Sequence, residues 1–155
     1  MPPDDGKYLH VLRCWRELWR WGAPLSLGAR EERLAARWLR RERGFQLVVR
    51  NWRNPQDERE EIDLVGRVGE TVVCVEVKAR AAGALVPGYY AVNARKRRVL
   101  RRAIKAYLAG LRSRPRTFRF DIVEIVGPEP GTLSGPTVLH FENVPLFSKY
   151  FRAGE

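Results

Sequence analysis

The chain has 155 residues, 45% of them hydrophobic, and a formal net charge of +11. This is enough chain and enough apolar content for one domain with its own core, and the basic balance favours polyanionic partners, nucleic acid before an acidic membrane surface. Two cysteines, Cys14 and Cys74, exclude a disulfide framework and a zinc-binding spacing, and no run of eighteen apolar residues offers a membrane-spanning helix. Arg13, Arg16 and Arg20 interrupt the early apolar segment, so no secretory signal is expected and the reading is a cytoplasmic protein.

Residues 1–25 form an N-terminal extension. Its first seven residues are polar and proline-rich, and a helical stripe follows at Tyr8, Val11, Leu12, Trp15, Leu18 and Trp19, with Arg13, Arg16, Glu17 and Arg20 opposite. Three uses of that apolar face stay open: packing on the domain or on a second copy, lying on an anionic membrane, or stacking on bases. Ala23-Pro24 ends it. The domain itself is expected over residues 26–142. Ser26 to Arg43 reads as a helix with Leu27, Leu34, Ala35, Trp38 and Leu39 on its buried stripe and Gly44 placed to stop it. Glu32 lies off the centre of the stripe, where it faces a cleft or remains a solvated acid beside Arg33 and Arg37. Phe45 to Arg50 reads as a strand, and residues 51–60 as a polar connection whose acids Asp57, Glu58 and Glu60, with Glu61, crowd toward Asp63.

Glu61 to Lys78 reads EIDLVGRVGETVVCVEVK, two apolar runs either side of a turn at Gly69. In a strand, Glu76 and Lys78 share one face while Val73, Val75 and Val77 take the other. Paired side by side, the two strands would bring Asp63, Glu76 and Lys78 together. Two carboxylates with waters and a phosphate make a usual shell for Mg²⁺, and a nearby ammonium meets charge that builds on an attacked phosphate. Spacing alone also fits a solvated face of a half-covered sheet.

Lys78-Ala79-Arg80 leads into a Gly/Pro loop, with Tyr89 and Tyr90 available for stacking or packing. Ala91 to Leu111 reads as a helix, apolar at Val92, Val99, Leu100, Ala103, Ile104, Tyr107, Leu108 and Leu111. Its first half holds Arg95, Lys96, Arg97, Arg98, Arg101 and Arg102, the densest run of cations in the chain, suited to several phosphates or to plain solvation. Thr117 to Val126 alternates as a strand with Arg119 and Asp121 on one face; Thr137 to Glu142 reads as an edge strand. A tail over residues 143–155 carries Val144, Leu146, Phe147, Tyr150 and Phe151, expected to dock on the domain. His10 and His140 have no partner pattern around them.

Several of these segments together resemble one family. Leu27 to Ala35, Gly44-Phe45 and Asn51-Trp52-Arg53 look like the opening of the YraN-like proteins, and Glu61 to Val65 with Val75 to Arg80 look like that family's two central motifs. Lys96 and Arg119-Phe120-Asp121 match its later positions. The resemblance covers roughly residues 27–126. It implies the restriction-endonuclease-like (PD-(D/E)XK) superfamily, similar to archaeal Holliday-junction resolvases, and so an α/β fold: a central mixed β-sheet flanked by α-helices, with metal-dependent phosphodiester cleavage as the ancestral chemistry. Carried onto this chain, it makes Asp63, Glu76 and Lys78 the core triad, with Glu32 a helix-borne acid beside them. Where the family has glycine before the acids at Glu32 and Glu61, this chain has Glu31 and Glu60. A different turn before Asp63 and added negative charge near the site are therefore expected.

The resulting expectation is a Mg²⁺- or Mn²⁺-dependent endonuclease-like protein acting on DNA, including branched or structured DNA. Asp63 and Glu76 would hold the metal, Lys78 would serve the attacking water, and Arg80, Arg95, Lys96, Arg97 and Arg98 would grip nucleic acid; the likeness to resolvases, which often work as dimers, leaves a homodimer open. The alternative is a nucleic-acid-binding module of the same fold without efficient cleavage.

Overall fold

The computed structural model of the chain describes residues 26–83, 92–149 and 151. The expected helix at residues 8–21, Tyr89, Tyr90 and Tyr150 lie outside them. The elements run α1 (Leu27–Arg43), β1 (Gln46–Asn54), β2 (Asp57–Val68), β3 (Thr71–Arg80), α2 (Ala94–Ala109), β4 (Thr117–Val126) and β5 (Thr137–Phe141). The strands form one five-stranded sheet in the order β1-β2-β3-β4-β5. Every neighbouring pair is antiparallel except β3 and β4, which run parallel. A parallel pair needs a long crossover, and α2 lies in it. The expected architecture, a mixed sheet flanked by helices, is the one observed. Among the described residues no helix is long and apolar enough to cross a membrane.

The helices cover opposite faces. Ala35, Ala36 and Leu39 of α1 pack on Leu64, Val73, Val75, Val123 and Ile125. Leu100, Ala103, Ile104 and Leu108 of α2 pack on Ile62, Val65, Val72, Cys74, Phe120 and Ile122. Because Val72 to Val75 alternate between two covered faces, β3 needs an unbroken apolar run rather than a half-polar one. Both helices are capped, and the cap at Asn93 starts α2 at Ala94, three residues later than the expected Ala91. The Ser26 hydroxyl accepts from the Ala29 N–H at 3.4 Å, and Gly44 ends α1 in the left-handed region at φ 65°. The Asn93 side chain accepts from the Lys96 N–H at 2.9 Å, which fixes where the basic first turn of α2 begins. From the tail, Val144 and Leu146 are buried in the α2-side core, and Phe147 and Phe151 meet Phe118 edge-on.

One expectation is corrected. Residues 51–60 are no open connection: β1 continues to Asn54, turns over Pro55-Gln56, and β2 starts at Asp57. The turn is held by Asn54, whose Oδ1 accepts from the Gln56 N–H at 3.1 Å and whose Nδ2 donates to Glu60 Oε2 at 2.8 Å. Charged side chains on the projecting hairpin hide its strand periodicity from a hydrophobic pattern.

Gly66 on β2 marks the tightest approach in the sheet. A Cβ there would lie 2.4 Å from Phe45 Cζ and 2.5 Å from the Gln46 carbonyl oxygen. Phe45 is 1% exposed and cannot swing away. Gly66→Ala is expected to lower the unfolding free energy by about 1–3 kcal/mol, as overpacking does in tight cores; a urea titration with an unchanged midpoint would contradict this.

Candidate functional site

β2 and β3 stay paired from Val68/Thr71 to Leu64/Val75, and the ladder stops there. The next residue of β2 is Asp63. Its Oδ2 accepts the Val77 N–H at 2.7 Å, so a side-chain carboxylate replaces the missing ladder carbonyl. The strands thus open into a fork with Asp63 inside it.

The sheet's alternation also resets at this point. Ile62 and Val65 both pack on the α2 side although three residues apart, and so do Val49 and Trp52 on β1 opposite them. Between the latter pair sits Asn51, with φ 48°. Asparagine enters the left-handed region at lower cost than most side chains, and here that turn lets both strands change face together.

Glu76, from the neighbouring strand, is 1% exposed. Its Oε1 receives two ammonium groups, Lys78 Nζ at 2.6 Å and Lys96 Nζ at 3.0 Å. Its Oε2 is buried with no hydrogen-bond partner among the described residues. A buried carboxylate oxygen left bare is costly and calls for a donor or a cation. Asp63 has the matching imbalance. Burial, then the charge of Glu76, pushes its carboxyl up to about 7, against the opposing pull of the Val77 N–H and Lys96. Lys96 lies above its ordinary value: burial opposes its charge, but Glu76, Asp63 and Glu61 outweigh that.

The sequence-derived residues therefore divide. Asp63, Glu76 and Lys78 come together as expected from their motifs, and Lys96 joins them from the first turn of α2 rather than lying on an open basic face. Glu32 reaches the region from α1, on the other side of the sheet. Burial raises its carboxyl, a hydrogen bond from the Asn51 side chain works the other way, and Glu61 adds repulsion. Among the described residues no three His, Cys, Asp or Glu side chains converge to hold a metal; Glu32 stands close enough to the Asp63/Glu76 pair to add to the repulsion on Asp63. Arg80 is tied to buried Glu124 at 2.7 Å, and Arg97 donates to the Pro145 carbonyl at 2.5 Å. Arg95 and Arg98 are exposed.

Three of the four acids expected to crowd Asp63 have a cation of their own. Asp57 pairs with Arg59 at 2.8 Å, Glu60 with Arg102 at 2.5 Å and Glu61 with Arg53 at 3.2 Å. Glu60 sits within β2 without a positive φ, so glycine's freedom is not used there. Two contributors escaped the sequence reading. Asn51 stood only as part of a motif, with nothing to show its left-handed backbone or its hold on Glu32. His140 binds fully buried Asp121 at 2.9 Å, alongside Arg119 and the Asn143 N–H, and this cluster locks β4, β5 and the tail together. The lone signal for it was Arg119-Phe120-Asp121.

Two outcomes follow from this geometry. In the unfolded chain Asp63 titrates near 3.8 and in the fold at about 7, so between these values the folded state holds the extra proton. Stability in EDTA is therefore lost as pH rises from about 4 to about 7, and Asp63→Asn removes that part of the slope; identical pH profiles of the two proteins in chemical denaturation would refute it. Asn51→Gly should keep the fold within about 1 kcal/mol, whereas Asn51→Val, β-branched at a positive φ, should cost about 1–3 kcal/mol in the same assay.

Sequence comparisons agree with the motifs. The family described as "Uncharacterised protein family UPF0102" matches residues 31–125, a span that includes Glu32, Asp63, Glu76, Lys78 and Lys96. The UPF0102 protein of Beutenbergia cavernae is 42% identical over 106 residues, 68% of this chain and 86% of its own length. That of Geobacter metallireducens is 38% identical over 120 residues, 76% of this chain and 90% of its own. That of Chlorobaculum parvum is 32% identical over 133 residues, 86% of this chain and 98% of its own. With the motifs and the matched span in agreement, this chain belongs to the UPF0102 family, the YraN-like proteins.

Proposed function

We propose that the protein is a metal-dependent endonuclease-like hydrolase of phosphodiester bonds in DNA. The observation that carries this reading is the bare, buried Oε2 of Glu76 beside Asp63, whose carboxyl is pushed up to about 7. A bare carboxylate oxygen beside a second carboxylate suits a hard divalent cation such as Mg²⁺ or Mn²⁺, which takes one or two carboxylates and fills its shell with water and phosphate oxygens. Asp63 and Glu76 would hold it. A metal bound there supplies Lewis-acid polarisation of the phosphate and lowers the pKa of a water.

The remaining chemistry belongs to the chain. Lys78 is half-buried and held by Glu76, so its ammonium is positioned to orient the attacking water and to meet charge developing on the phosphate. Lys96 adds a second positive charge at the same carboxylate. Exposed Arg95 and Arg98 on α2 extend the positive field from the fork outward, in keeping with a DNA backbone as substrate. A second reading, a binding module without efficient cleavage, is favoured by one observation: no third acid joins Asp63 and Glu76 among the described residues.

Labelled duplex, single-stranded, nicked and four-way-junction DNAs, incubated with Mg²⁺, Mn²⁺ or EDTA, separate the two. Cutting is expected with metal, reduced about 10²-fold or more in Asp63→Ala and in Lys78→Ala, as for loss of one stabilising group in a transition state. Salt-sensitive binding without cutting, unchanged in both variants, would leave the binding module.

A further inference from the structure

We propose that Arg33, Arg37 and Arg50 form a second phosphate-binding subsite, on the α1 face of the sheet, that grips the backbone of the nucleic acid occupying the Asp63/Glu76 fork. The identity of that occupant rests on the function proposed above. Arg33 and Arg37 stand one turn apart on α1, so they share a flank of the helix. Arg50 lies directly opposite Leu64 across the β1–β2 ladder. Opposed residues share a face, and Leu64 packs on Ala35, Ala36 and Leu39, so Arg50 faces α1 as well. Three guanidinium groups from two elements thus converge beside Asn51, the next residue of β1.

The charge balance of this patch differs from that of the cations that meet the buried acids of the sheet. Lys78, Lys96, Arg80, Arg102 and Arg119 each have a carboxylate within 4.0 Å. Among the described residues none of Arg33, Arg37 and Arg50 makes such a pair, although Arg33 and Arg50 are partly buried. The acid beside them, Glu32, takes a hydrogen bond from Asn51. Burial, followed by repulsion from Arg33, lowers the pKa of Arg50; Glu32 pulls the other way and Arg37 adds to the repulsion, so the acid offsets only part of it. An anion seated among them relieves that repulsion. Guanidinium forks bind phosphate oxygens through two parallel hydrogen bonds, which suits a sugar–phosphate backbone better than a diffuse counterion cloud.

The patch is also placed for the fork. Asn51 stands between Arg50/Leu64 and Trp52/Ile62 on the ladder, which puts it across from Asp63. A strand leaving the fork toward α1 therefore passes Arg50 first, while Arg95 and Arg98 lie on the α2 side. Backbone contacts would then flank the fork on both faces of the sheet.

The test reads binding rather than cutting. Fluorescence anisotropy of labelled duplex and four-way-junction DNA is followed in EDTA from 50 to 200 mM salt (conditions of roughly the range over which counterion release is resolved). Arg33→Gln/Arg37→Gln/Arg50→Gln should bind more weakly, with the log–log salt slope reduced by about 2–3, and Arg37→Gln alone by about 1. Arg37 is exposed, so the single variant reports even if the triple variant folds poorly by circular dichroism. Wild-type slopes in both arginine variants would overturn the subsite. So would a loss seen only with phosphatidylserine vesicles, which would assign the patch to a membrane surface. Absence of metal-dependent cutting with the slope change intact would count against the nuclease and leave the subsite standing.

Discussion

The hydrogen bond from the Val77 N–H to Asp63 Oδ2 holds the centre of this molecule open. Antiparallel strands normally continue their ladder until one of them ends, yet β2 and β3 both run on past Leu64/Val75 after their pairing has stopped. Without the carboxylate at 2.7 Å, the Val77 N–H would be a half-buried donor with no acceptor. With it, the separation is stable, and the space between the strands is occupied by acidic side chains. Everything distinctive about the site follows: Glu76 is trapped beneath α2, Lys78 and Lys96 converge on one of its oxygens, and the other oxygen stays bare.

Several of the surrounding charges are paired. Asp57, Glu60 and Glu61 of the hairpin each have an arginine, Glu124 has Arg80, and Asp121 has Arg119 and His140. Buried and partly buried ion pairs give little net stability once desolvation is counted, but removing one partner is severe. Two places stand apart from these pairs: the fork, where Glu76 Oε2 is bare, and the three arginines on the α1 face, next to it across Asn51.

Asn51 shows how a backbone detail can govern the chemistry. Its left-handed φ turns β1 over between Val49 and Trp52, and β2 follows between Val65 and Ile62. Without that reset, β1 and β2 could not present Val49 and Val65 on one side of the kink and Trp52 and Ile62 on the other to the same α2-side core. The Asn51 side chain meanwhile steadies Glu32. A residue with no apparent chemistry of its own thus sets both the strand geometry and the position of the acid nearest the pair.

Local sequence was enough for the elements whose signals are local. The apolar stripes of α1 and α2, the Gly44 stop of α1, the valine run of β3 and the alternation of β4 all depend on neighbours within a few residues, and so did the pairing of Glu76 with Lys78 on one face. The hairpin at Asn54 to Asp57 was hidden because its charged strands project beyond the core and carry no hydrophobic period. Lys96 illustrates what only tertiary structure could decide. In sequence it is one of six cations in a run; in the fold, the cap at Asn93 and the packing of Leu100 and Ile104 place it alone against Glu76. The same holds for Arg80, drawn inward by buried Glu124, and for His140, given its partner by the β4–β5 register. Helical and strand periodicity determines which side chains share a face; which charge meets which, and which carboxylate oxygen is left bare, is set by contacts between residues far apart in the chain.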